Sequence, residues 1–218
     1  MTSFLRTRLR LVDALRRAGA IVALGVAIGC ASAPPPVRLV DDWPDRPRGY
    51  DAVVVDWTRS ALLRADYQQV CEVVATLKSP EWRSARATQD ADARGLVGEA
   101  RAQRLAQARA DATAGPYEIE LLVTTWDRRE NDLDRGARSV WRVALIDDQG
   151  QEIAPVEIVR DRRPAFIVRA EFPGLGEFAT AYVARFPRTA ALFRAGATQV
   201  RLRLSSARGG LELRWAGA

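Results

Sequence analysis

The densest set of side chains able to hold a metal is Asp127-Arg128-Arg129-Glu130-Asn131-Asp132-Leu133-Asp134-Arg135-Gly136. Asp127, Glu130, Asp132 and Asp134 carry the oxygen ligands that Ca²⁺ takes in sets of roughly six to eight. The spacing departs from an EF-hand loop, however: the glycine arrives one place late and no glutamate follows to close the site. Three arginines in the same loop already neutralise its acids. The expectation is a solvated inter-strand turn with local Asn and Asp bonds, and no metal or cofactor is assigned. The paired carboxylates Asp41/Asp42 and Asp147/Asp148 fall in a proline-rich stretch and a tight turn. Neither pair has a reason to be buried, so neither should have the displaced pKa of a general acid. The chain has no histidine, which removes Ser–His and Cys–His nucleophile pairs and every histidine metal site. No G-x-S-x-G elbow or glycine-rich phosphate loop occurs, and no catalytic residue is assigned. Cys71, within a strand-like run, reads as a small buried hydrophobe. Trp57, Trp82, Trp126, Trp141 and Trp215 lie in or beside expected strands or helix and read as core, leaving Trp43 as the exposed tryptophan.

The other cysteine sits in a different context. Arg6, Arg8, Arg10, Arg16 and Arg17 precede an apolar run over 18–28, and Ala27-Ile28-Gly29-Cys30 ends it before Pro34-Pro35-Pro36. The run is too short for a bilayer span of ~20 apolar residues, and the order of basic, apolar and small residues is that of a secretory signal. Its end resembles the lipobox of bacterial lipoproteins, with Ala27 where leucine is commonest. The resemblance implies cleavage after Gly29, lipidation of Cys30 and attachment to a membrane. Ala31 in place of aspartate favours the outer over the inner membrane. The sequence carries 33 basic and 27 acidic residues, a net +6; residues 1–29 hold five arginines and one aspartate, so the remainder has 28 basic and 26 acidic. Those charges are interleaved rather than clustered on one face, so nucleic acid is not an expected partner.

The elements that must position these residues follow from periodicity. Residues 30–50 read as a proline-rich tether carrying the lipidated Cys30, and 51–218 as one domain. β-branched and aromatic content suggests strands over 53–58 and 69–77. Ser79-Pro80-Glu81 starts a helix, with Ser as N-cap, Pro at the first position and acid in the first turn. It runs to about 113, with Gly95 and Gly98 able to divide it, and Ala114-Gly115-Pro116 stops it. Alternating runs then suggest strands at 117–126, 139–146, 152–160, 165–172 (closed by Pro173-Gly174) and 178–186, and a final hairpin of 199–205 with 211–215. The expected fold is mainly β (α+β): an immunoglobulin-like antiparallel β-sandwich with an inserted α-helix at about 80–113 after the early strands.

The segments WTRSALL from Trp57, ATLKSPEWRSA from Ala75, ENDLDRG from Glu130, WRVALIDDQGQEIAP from Trp141 and YVARFPR from Tyr182, in that order, resemble a family of uncharacterised bacterial envelope lipoproteins. The resemblance implies compartment and fold and carries no catalytic residue. Two functions follow as expectations. One is a non-catalytic, membrane-anchored module that binds an envelope protein or polymer. The alternative is a carboxylate-dependent hydrolase of an envelope glycan, which needs two acids facing one cleft, ~5–9.5 Å apart.

Overall fold

The apolar spacing Tyr50, Val53, Val54, Trp57 places four side chains on one helical face, and all four are buried. In the computed structural model, which describes residues 33–218 apart from 66, 173–175 and 177, this stretch is accordingly a helix, α1 (Tyr50–Trp57). The expected strand over 53–58 is therefore corrected. Burying a helical stripe outweighs the modest helix penalty of three valines, a few tenths of a kcal/mol each, roughly. The expected signal peptide (1–29), Cys30 and the turn at Pro173-Gly174 lie outside the described residues.

After α1 come β1 (Thr58–Ala65), β2 (Gln68–Leu77), α2 (Pro80–Ala93), α3 (Gly98–Ala114) and β3 (Tyr117–Thr125). Short 3-10 turns at Arg128–Glu130 and Leu133–Arg138 lead to β4 (Arg142–Ile146), β5 (Glu152–Ile153) and β6 (Glu157–Arg160). The chain continues through α4 (Ala165–Glu171), β7 (Thr180–Phe186), β8 (Gln199–Ser206) and β9 (Gly209–Ala216). Two antiparallel sheets result, ordered β1-β2-β3-β7-β6 and β5-β4-β8-β9, and the fold is a mainly-β α+β sandwich. Alternation sends Val73, Ala75, Ile119, Leu121, Tyr182 and Phe186 of one sheet and Leu145, Leu202, Leu213 and Trp215 of the other into one shared core. Trp215 Nε1 donates to the Trp57 carbonyl at 2.8 Å, so the fully buried indole satisfies its one donor. No helix among the described residues is long and apolar enough to cross a membrane.

Three further expectations change. The run 165–172 is the helix α4, because Val168, Glu171 and Phe172 must reach the interior together. The run 152–160 breaks at Ala154-Pro155 and its halves join different sheets. The single helix of 80–113 is a helical hairpin. Ser79 Oγ accepts from Trp82 N at 3.1 Å to start α2. Gly95, at φ +63°, ends it in a left-handed cap, with Leu96 N donating to Ala91 O at 2.8 Å. α2 contributes Trp82, Ala85 and Ala87 to the interior, whereas α3 buries Ala112 alone. A helix with so little apolar burial opens independently of the sandwich. Native-state hydrogen exchange should therefore show α3 amides exchanging at least about tenfold faster than those of α2; equal protection would count against it.

The proposed tether is also shorter than 30–50. From Pro34 the chain belongs to the same compact unit as the sandwich. Val37 and Leu39 are buried, Val37 N donates to Ala216 O at 2.9 Å, and Ala218 N donates to Val37 O at 3.0 Å. Two apolar side chains among the prolines are enough to dock the segment. Arg59 fastens it, its guanidinium donating to the carbonyls of Pro35, Asp56, Thr58 and Arg214 at 2.8–2.9 Å.

Candidate functional site

β3 turns its odd residues inward, so Glu118, Glu120, Leu122 and Thr124 belong to the outer face of the sheet. The next residue in that parity is Trp126, still tied to β2 by its N–H to Val70 O at 3.0 Å. Its indole is 74% exposed, while Trp57, Trp82, Trp141 and Trp215 are buried and Trp43 is half-buried. The expectation for Trp126 and Trp43 is thus corrected. Trp126 lines a cleft of about 630 Å³ at the sheet end, shared with Gln69, Thr124, Arg128, Asn131, Arg160, Phe178 and Thr180. That volume lies within the ~300–1,000 Å³ of small-molecule sites. Phe178 is 64% exposed and carries the Arg128 guanidinium 5.5 Å from its ring centre.

The floor of the cleft is rigid. Asn131 Nδ2 donates to Val123 O at 2.8 Å and to Thr180 Oγ1 at 3.2 Å. Tyr182 Oη lies 2.8 Å from both Asn131 oxygens, and burial pushes its phenol up to about 12. Arg160 stacks 5.9 Å from the Tyr182 ring centre and pairs with Asp134 at 3.0 Å. Arg128 has no ion-pair partner among the described residues.

The four acids of the candidate cation loop do not converge. Asp127 accepts from Arg129 N at 2.9 Å as a turn cap, and Glu130 pairs with Arg208 at 2.7 Å. Asp132, buried, accepts from Ser139 Oγ at 2.9 Å and Val140 N at 3.2 Å. Asp134 holds Arg160. No cluster of three metal-capable side chains forms among the described residues. Of the paired carboxylates, Asp41 and Asp42 are exposed. Asp147 is buried, against expectation, because its carboxylate accepts from Gln149 N at 2.9 Å and Gln151 N at 2.8 Å across the hairpin. Asp148 meets Arg194 at 2.5 Å. Cys71 is fully buried, and burial pushes its thiol up to about 12, so it has no nucleophilic character.

Sequence reasoning missed a second cluster, under the helices on the outer face of the same sheet. Glu120 is 1% exposed, with Lys78 Nζ at 3.1 Å and Arg163 at 3.8 Å. Burial raises its carboxyl to about 7, Lys78 opposes the rise and the neighbouring Asp161 adds to it. Asp161 is also desolvated, but the Arg163 fork at 2.9–3.0 Å prevails and holds it down at about 2. Glu171 completes the group with Arg86 at 2.9 Å and Arg163. Two carboxyls driven apart in pKa are a hallmark of acid–base sites, yet neither lines any of the principal cavities. None of those cavities has more than one carboxylate among its described residues, so the geometry gives no support to a two-carboxylate hydrolase.

No family model and no curated protein matches the chain. Among solved structures, the chain is similar to a novel protein of unknown function from Burkholderia pseudomallei. The two are 14% identical, with a TM-score of 0.33 over 72% of this chain and 77% of that one. A likeness at that level bears on neither fold nor function.

Proposed function

We propose that the protein is a bacterial envelope lipoprotein, held through lipid on Cys30 and favouring the outer membrane, whose sandwich is a non-catalytic binding module for an envelope protein or polymer. The observation that carries the binding reading is the end cleft: the most exposed indole of the chain, an exposed phenyl ring and a guanidinium converge on one concavity. Exposed aromatics and arginine gathered in a depression are the residue types that dominate recognition sites. The lack of histidine and the dispersal of the loop acids leave the cleft no evident nucleophile or base.

The anchor is tested by growth with labelled palmitate. Cys30→Ser should abolish incorporation and release the protein from the membrane fraction, and label retained by the variant would reject the anchor. The binding role is tested by a photo-crosslinking residue at position 69, on the exposed rim of the cleft, in intact envelopes. Specific adducts, absent when the crosslinker replaces Arg201 on the outer face of the other sheet, are expected; their absence would reject it.

A further inference from the structure

We infer that the Trp126 cleft is a subsite for an acidic saccharide, an inference that rests on the binding reading above. A sugar ring has an apolar C–H face and a rim of hydroxyls. The cleft offers the complementary pair: exposed aromatic faces at Trp126 and Phe178, and hydroxyl and amide groups at Thr124 and Gln69. Arg128 supplies the charge preference. It is exposed, stacked on Phe178 and without an ion-pair partner among the described residues, and its planar fork matches a carboxylate in two parallel hydrogen bonds. No carboxylate of the described residues lines the cleft to repel an acidic ligand.

Other occupants fit less well. An extended peptide that adds to a sheet needs a free strand edge, but β2, β3 and β7, which floor the cleft, are each paired on both sides, and the edge strand β6 contributes only Arg160 to it. A cation has no carboxylate to meet there. The larger groove of about 700 Å³ beside Val140 and Val156 offers less to a polar ligand. Its charged residues are already engaged, Arg142 with Glu152 at 3.2 Å and Glu157 with Arg185 at 2.5 Å.

The test titrates the full chain with tetragalacturonate and a glucuronate-containing tetrasaccharide, with the neutral galactose tetramer as control, by calorimetry and indole fluorescence. Saturable binding of a uronate oligomer is expected, weakened at least about tenfold by Trp126→Ala and by Arg128→Gln, with the neutral oligomer markedly weaker. Unchanged thermal unfolding would show that both variants fold. Binding that survives Trp126→Ala, or neutral and acidic oligomers that bind alike and ignore Arg128→Gln, would overturn the inference. So would the failure of both uronate probes to bind. A protein adduct from position 69 in that last case would leave the binding module standing and reject only its saccharide ligand.

Discussion

Replacing Arg59 by leucine is expected to lower the stability of the folded domain by about 3–5 kcal/mol, read as a shift in urea midpoint at unchanged slope. The guanidinium is buried, at 4% exposure, and among the described residues its hydrogen-bond partners are carbonyl oxygens. Desolvation lowers its pKa, opposed by the nearby Asp56 charge. Leucine would fill much of the space but take one donor from each of the carbonyls of Pro35, Asp56, Thr58 and Arg214, and a buried carbonyl left unsatisfied costs about 1–3 kcal/mol. Lysine keeps the charge and loses the planar fork, so Arg59→Lys should recover only part of the loss. Limited proteolysis gives a second readout, because the Pro35 carbonyl is one of the four: residues 34–49 should become cleavable in Arg59→Leu before the sandwich unfolds. A loss below about 1 kcal/mol would mean that water replaces the clamp.

The second large effect is a pH dependence on the neutral side. The Glu120 carboxyl is raised from an ordinary 4.5 to about 7, so the folded chain holds that proton more tightly than the unfolded chain. Its contribution to stability is fully present below 4.5 and is lost as the pH rises through 7, a difference of about 3 kcal/mol. Asp161 acts in the opposite sense: its contribution is present above 3.8 and is lost as the pH falls through about 2. Lys78, Arg163 and Glu171 surround the pair. Urea unfolding at pH 5 and pH 8 should show the wild type less stable at the higher pH, and Glu120→Gln should flatten that difference. A variant that retains the full difference would place the titrating group elsewhere.

Where burial fell on one face of a strand, alternation was enough to find it. β2, β3, β7 and the β8–β9 hairpin all match their runs of odd or even apolar residues, and Ser79-Pro80 marked the start of α2 to the residue. Propensity misled where short helices were recruited to cover a sheet. In α1 the valines suggested a strand, although the spacing of Tyr50, Val53, Val54 and Trp57 was already helical. α4 has a weaker signature, because Phe166 points to solvent and buried Glu171 is retained by ion pairs from other elements. The cleft was half legible. Trp126 continues the parity of Glu118, Glu120 and Thr124, which marks it as outward-facing, but Phe178 comes from just before β7, the strand paired beside β3, and no local pattern announces that. The buried charges at Arg59 and Glu120 look like ordinary polar positions in alternating strands, since their partners come from distant segments.

The docking of Val37 between the amide of Ala218 and the carbonyl of Ala216 has a consequence for the order of assembly. Contacts between segments so far apart in the chain close the largest loops and are made late. A chain that emerges from its N-terminal end cannot seat Val37 until β9 has formed beside β8. The segment from Pro34 to Leu39 therefore takes its place only after the last strand is made, so the part of the domain synthesised first is the last to be fixed.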